Sequence, residues 1–201
     1  MNIPPHGRSK MPVEKMESCP FGGKIFQHIV SSPIGDIEII SCKNGLHSVF
    51  QCEVDDSNFS PDIKRPIVIK SDREVNLKVK DFDAANSCYL WLKDYFTQKI
   101  ASTNIPKICN SVMKSDTFSG KALQLLPSSA PFGTTITYKD LAQLCGNAKA
   151  SRAAGQAMST NPISLLIPCH RVISSNGNPG NYAHGKKNKI KCWLLSFEKT
   201  T

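Results

Sequence analysis

Residues 36–53, DIEIISCKNGLHSVFQCE, alternate apolar and polar side chains on both sides of Asn44-Gly45. That dipeptide between two alternating runs is the strongest short signal for an antiparallel hairpin. It commits the first part of the chain to sheet. KIFQHIV (24–30) adds a strand, and SSPIG (31–35) a turn. Residues 54–81 are polar and contain Pro61 and Pro66, which predicts a loop or an edge strand. The period then changes in FDAANSCYLWLKDYFTQK (82–99), where apolar side chains at 85, 88, 91, 92, 95 and 96 form one face of a helix.

Helical patterns govern the remainder. Ser115 or Thr117 is placed to cap a helix that ends at Leu126, before Pro127. TYKDLAQLCG opens with Thr137 and Asp140 in capping-box spacing, takes Leu141, Leu144 and Cys145 as its apolar face, and stops at Gly146. Asn147 is placed to cap a second helix running to about Ser159. Helix, glycine turn, helix is a helix-turn-helix arrangement. The second helix is nearly bare: Ala148, Ala150, Ala153, Ala154, Gly155 and Ala157, with Lys149 and Arg152 projecting. Such a surface suits close packing on another helix, or close approach to DNA. The expected class is α+β: a disordered leader (1–20), a small mixed α/β domain (21–108), and a helical domain with a winged-helix-like helix-turn-helix (109–201).

The net charge of +9 is unevenly placed, since residues 121–201 hold ten Lys and Arg against two Asp and Glu. This fits a polyanionic partner, and also a merely cationic surface. No apolar run is long enough to span a bilayer, and the amino terminus lacks a signal-peptide core, so an intracellular protein with no membrane partner is expected. In a reducing compartment the eight cysteines fit metal binding, catalysis or burial. Cys88, Cys145 and Cys192 sit among core-like neighbours.

LLIPCHRV (165–172) is the exception to these patterns, because Cys169, His170 and Arg171 follow an apolar run. Pro168 holds Ile167 extended and leaves Cys169 in an extended or turn segment. In an extended segment Cys169 and His170 point to opposite sides, which disfavours a direct hydrogen bond. A bridging water, with His170 oriented by Glu198 downstream, is the remaining route to a thiolate. Adjacency alone is a weak signal and leaves a plain buried cysteine open.

TYKDLA, GN-x-K-A-x-R-A, NP, IPCHRV, GNY and WLL-x-x-E occur in that order between residues 115 and 198, with weaker similarity over 25–52. This series resembles the O6-alkylguanine-DNA alkyltransferases, the methylated-DNA–protein-cysteine methyltransferases. The resemblance implies that Cys169 takes an alkyl group, chiefly methyl, from O6 of guanine in double-stranded DNA, and secondarily from O4 of thymine. It makes His170 a water-mediated base and Glu198 its holder, and the protein is consumed by one lesion. By the same resemblance Arg152 would fill the gap left by the flipped nucleotide, with Lys149, Ala150 and Ser151 beside it on the DNA. Tyr138 matches the family's tyrosine that crowds the rotated phosphate and gives a proton to the leaving guanine. Asn161 matches the asparagine that ties the second helix to the active-site turn, and Val172, Tyr182 and Ala183 match the wall of the base pocket. The resemblance also implies a monomer, a nuclear location and no catalytic cofactor. Departures are His184 where small residues are usual, Gln156 in place of a second glycine, and Ala148 in place of proline. Other readings are a sensor of alkylated DNA, against which Cys169 speaks, and a cysteine hydrolase, which leaves the basic helix-turn-helix unexplained.

A turn at Asn44-Gly45 pairs Lys43 with Leu46 and sets Cys42 opposite His47, with Cβ atoms about 5 Å apart. That spacing suits two ligands of one metal. The resemblance adds a structural zinc, with Cys19 and Cys109 near the other two ligand positions and Cys109 standing where relatives have histidine. Four unrelated side chains are the alternative.

Overall fold

The computed structural model describes residues 19–52, 56–72, 83–98, 104–113 and 116–199. Most of the expected leader, and Ser115, lie outside these ranges. Four strands, β1 (Phe26–Val30), β2 (Ile37–Cys42), β3 (Gly45–Gln51) and β4 (Ile69–Asp72), form an antiparallel sheet in the order β3-β2-β1-β4. β2 is buried along its whole length. Helix α1 (Asp83–Gln98) packs on β2 and β3, and all six side chains assigned to its apolar face are buried.

The hairpin differs from its expected register. Lys43 and Asn44 form the turn, Cys42 pairs with Gly45, and the ladder slips so that His47 is the extra, bulged residue. The cause is non-local. The Leu46 N–H donates to Lys107 O at 2.9 Å and the Cys109 N–H donates to Leu46 O at 2.9 Å. Gly45, at φ 141°, lies so close to this segment that a Cβ would stand 2.7 Å from Lys107 O.

α2 (Phe118–Ser129) is capped by Thr117, whose hydroxyl accepts from the Gly120 N–H at 3.0 Å. It passes through Pro127 instead of ending at Leu126. Proline costs a helix the N–H it lacks. Here the Ser128 and Ser129 hydroxyls donate to Leu125 O, and the Ala130 N–H to Leu126 O, so the last turn stays closed.

β5 (Ile136–Thr137) leads into α3 (Tyr138–Leu144) through the capping box, with the Asp140 N–H donating to Thr137 Oγ1 at 3.1 Å and that hydroxyl donating to Asp140 Oδ2 at 2.7 Å. Leu144 is 52% exposed rather than core. At 100° per residue, buried Leu141, Ala142 and Cys145 share one face and Leu144 falls beside it. α4 (Ser151–Ser159) starts later than expected, because Asn147 Oδ1 accepts from the Lys149 N–H and bends residues 147–150 into a turn. Ala154, Ala157 and Met158 pack inward, while Arg152 and Ala153 face solvent.

β6 (Val172–Ile173) pairs in parallel with β5, and α5 (Asn188–Lys199) closes the chain. Cys192 is exposed, on the side of α5 opposite buried Ile190, Leu194 and Phe197. β3 meets the second half edge-on: the Val49 N–H donates to Pro162 O and the Ser164 N–H donates to Val49 O. The expected α+β class and helix-turn-helix are borne out.

Candidate active site

The segment after α4 is folded by its own backbone. The Ile167 N–H donates to Ile163 O, the Cys169 N–H to Ile167 O and the Arg171 N–H to Pro168 O, while Leu165 takes φ 71°. Cys169–Arg171 is therefore a 3-10 turn, with all three residues buried. Asn161, at the foot of α4, holds it. Its Nδ2 donates to Ile167 O at 2.8 Å and to Cys169 Sγ at 3.1 Å, and its Oδ1 accepts from the Ile163 N–H.

Beneath the turn lies one carboxylate. Glu198 Oε1 is 2.7 Å from His170 Nε2 and accepts from the Tyr95 hydroxyl at 2.6 Å. Arg171 reaches it through Nε at 2.8 Å and Nη2 at 3.0 Å, and donates from Nη1 to Ala130 O at 2.8 Å. Burial alone raises a carboxyl; His170 first and Arg171 next outweigh it and bring Glu198 down to about 2. Burial lowers His170, against the opposing pull of Glu198. A neutral His170 donating from Nε2 to Glu198 has Nδ1 free as an acceptor, and that buried nitrogen has no hydrogen-bond partner among the described residues.

Burial raises the Cys169 thiol, and the Asn161 hydrogen bond, the Lys191 charge and Tyr182 oppose the rise. Lys191 is a buried ammonium whose Nζ donates to Val172 O at 2.7 Å and sits 5.8 Å from the Tyr138 ring centre. Burial lowers it to about 8, with Cys169 pulling the other way. Cys169 opens on a cavity of about 370 Å³ whose lining includes Tyr138, Gly155, Tyr182, Ala183 and His184. Val172, expected in the pocket wall, is not among the lining residues; its side chain is buried within the core. Lys149 and Arg152 are exposed and Ala150 and Ser151 half-buried at the start of α4.

Sequence reasoning had singled out Arg171 only as an oddity. The pattern leaves Tyr95 as one apolar position of α1 and does not set Lys191 apart from the other cations of residues 121–201.

Cys19, Cys42, His47 and Cys109 converge elsewhere, all buried, with their ligand atoms within 4.8 Å of one another. Cys109 Sγ is 3.8 Å from Cys19 Sγ and 3.9 Å from Cys42 Sγ. A tetrahedral metal with bonds of about 2.3 Å needs sulfur–sulfur edges of about 3.8 Å. Both His47 nitrogens are buried without a hydrogen-bond partner among the described residues, as suits a ligand. The bulge at His47 does what the simple hairpin was expected to do. The donor set fits a metal.

Residues 118–200 match the DNA-binding domain of 6-O-methylguanine DNA methyltransferases. Over 186 residues the chain is 34% identical to the methylated-DNA–protein-cysteine methyltransferase of Cricetulus griseus, a match covering 90% of this chain and 84% of that protein. The chain belongs to the methylated-DNA–protein-cysteine methyltransferase family. The Homo sapiens methylated-DNA–protein-cysteine methyltransferase is 34% identical over 172 residues, 84% of this chain and 78% of that one. The structure of Mycobacterium tuberculosis OGT in complex with DNA superposes with TM-score 0.62 at 25% identity, covering 86% of this chain and 91% of that one. As a methylated-DNA–protein-cysteine methyltransferase the chain binds DNA and repairs it by moving an alkyl group to a protein cysteine.

Proposed function

We propose that Cys169 is the acceptor and that it attacks a guanine turned out of the duplex into the cavity above it. O6 lies on the paired edge of guanine, so the base has to leave the stack before its alkyl group is reachable. Arg152, exposed at the start of α4, fills the vacated space. Lys149, Ala150 and Ser151 flank it on the backbone. The small side chains of α4 suit the narrow minor groove.

His170 Nδ1 takes the thiol proton through a water, while Glu198 and Arg171 fix the imidazole from beneath. The sulfur electron pair forms the S–C bond and the C–O6 bond breaks towards guanine. Tyr138 supplies the proton that guanine takes up and is reprotonated from solvent. Burial, and then the charge on Cys169, raise the Tyr138 hydroxyl, so it carries that proton at neutral pH. A thioether offers no hydrolytic exit, so each molecule acts once and needs no catalytic cofactor. O6-alkylguanine in double-stranded DNA is the main substrate and O4-alkylthymine a secondary one. The protein acts as a monomer in the nucleus. A zinc ion held by Cys19, Cys42, His47 and Cys109 is structural: it ties the hairpin to the segment entering the second half.

The observation that carries this reading is the hydrogen bond from Asn161 to the Cys169 sulfur in a cavity that Tyr182 also lines. Mass spectrometry after mixing with a duplex containing O6-methylguanine tests it. One methyl per chain, on the peptide carrying Cys169, is expected. Cys169→Ala should gain none and still bind DNA, because phosphate contacts lie on the helix-turn-helix. Methyl found elsewhere, or transfer by the variant, would refute the assignment.

A further inference from the structure

We propose that Asp56 is a positioning residue for the transfer, holding from the first half of the chain the loop that walls the cavity and the first turn of α5. This rests on the site reading above. The first turn of α5 has no acidic side chain, and Lys186, Lys187 and Lys189 crowd it. Free N–H groups at a helix start favour an anion and disfavour cations. Asp56 supplies the anion from outside the helix. Its Oδ2 accepts from the Asn188 N–H at 3.0 Å and its Oδ1 from the Lys189 N–H at 2.7 Å. Its own N–H donates to Lys186 O at 3.0 Å, and Lys187 Nζ donates to Gln51 O at 2.6 Å.

From this anchor the bonds run on to the cavity wall. Asn188 Oδ1 accepts from the Tyr182 N–H at 2.8 Å, and Tyr182 O accepts from the Gly185 N–H at 3.0 Å and the Lys187 N–H at 3.3 Å. Between them Ala183 and His184 take φ 48° and 59°, a conformation that side-chain-bearing residues keep only where their surroundings fix it. The Tyr182 side chain lines the same cavity as Cys169, and α5 carries Lys191 and Glu198. One carboxylate thus holds the wall and the start of the helix that brings Lys191 to the thiol and Glu198 to His170.

The test uses the whole protein as wild type, Asp56→Ala and Asp56→Asn. It measures single-turnover methyl transfer at saturating O6-methylguanine duplex, duplex affinity, and amide hydrogen exchange at Tyr182, Gly185 and Lys187. Asp56→Ala should lower the saturated rate constant about tenfold or more, leave affinity within about twofold, and speed exchange at those amides about tenfold. Asp56→Asn, which keeps one acceptor oxygen and no charge, should fall between. A purely structural contact would lower thermal stability and leave the saturated rate constant of the folded protein unchanged. If Asp56→Ala does not fold, Asp56→Asn decides alone: rate and exchange both within about twofold of wild type overturn the proposal. A wild type that transfers no methyl to Cys169 refutes the site reading itself. A wild type that transfers, matched by both variants, refutes only the clamp.

Discussion

Glu198→Gln replaces a buried carboxylate by an amide of the same shape. The side chain is 1% exposed and takes Arg171 at 2.8 and 3.0 Å and Tyr95 at 2.6 Å, with His170 at 2.7 Å. The amide keeps one acceptor oxygen and turns donors towards groups that are themselves donors. Arg171 is left as a buried cation without a counter-charge. Breaking a buried pair from one side costs about 3–5 kcal/mol. The position of the carboxyl, about 2 against an ordinary 4.5, agrees; that displacement corresponds to about 3 kcal/mol. At about 2–4 °C per kcal/mol for a chain of this size, Tm should fall by about 6–20 °C at pH 7. Thermal unfolding followed by circular dichroism measures it. The double variant Arg171→Met, Glu198→Gln should recover part of the loss, since it removes the stranded charge. The folded carboxyl lies below its ordinary value, so its stabilisation is complete above 4.5 and is lost as pH falls towards 2. The gap between wild type and variant should shrink over that interval. A fall of less than about 2 °C at pH 7, or a gap that is unchanged in acid, refutes the argument that this charge holds the network.

Arg152→Ala should slow methyl transfer from duplex DNA about tenfold or more and leave transfer from a free alkylated base nearly unchanged, because unstacking a nucleotide costs a few kcal/mol and about 1.4 kcal/mol is tenfold in rate. Equal losses on both substrates would contradict an extrusion role. His184 sits exposed on the cavity lining beside Ala183, and an overfilled pocket costs about 1–3 kcal/mol. O6-benzylguanine should therefore react poorly, with His184→Gly raising the benzyl-to-methyl rate ratio roughly tenfold to a hundredfold; an unchanged ratio places the imidazole outside the pocket. Elemental analysis of protein purified without chelator should find one zinc per chain. Stripping it should lower Tm by at least about 5 °C while a slow transfer persists, since metal binding at such a site contributes to folding; no zinc, or no change in Tm, refutes the site.

What the sequence determined by itself was local or serial. The hairpin signalled by alternating runs around Asn44-Gly45, the apolar face of α1 and the Thr137–Asp140 capping box depend on neighbours a few residues apart; the hairpin, the face and the box are found in the fold, though not the expected turn register. The order of short motifs from TYKDLA to WLL-x-x-E was equally legible, because residue types such as a cysteine beside a histidine or a capping threonine are read directly from the chain. Tertiary structure decided everything that depends on distant backbone. The approach of residues 107–109 to Gly45 moved the turn to Lys43-Asn44 and bulged His47 onto the face of Cys42. Asn147 gave its side chain to a turn and delayed α4, a choice between two local hydrogen bonds that the residue type leaves open. Tyr95, Arg171 and Glu198 come from three separated segments and meet at one carboxylate. Nothing near Tyr95 in the chain distinguishes it from the other apolar residues of α1. A buried charge takes whichever partner the packing brings within reach, and that partner is written only in the fold.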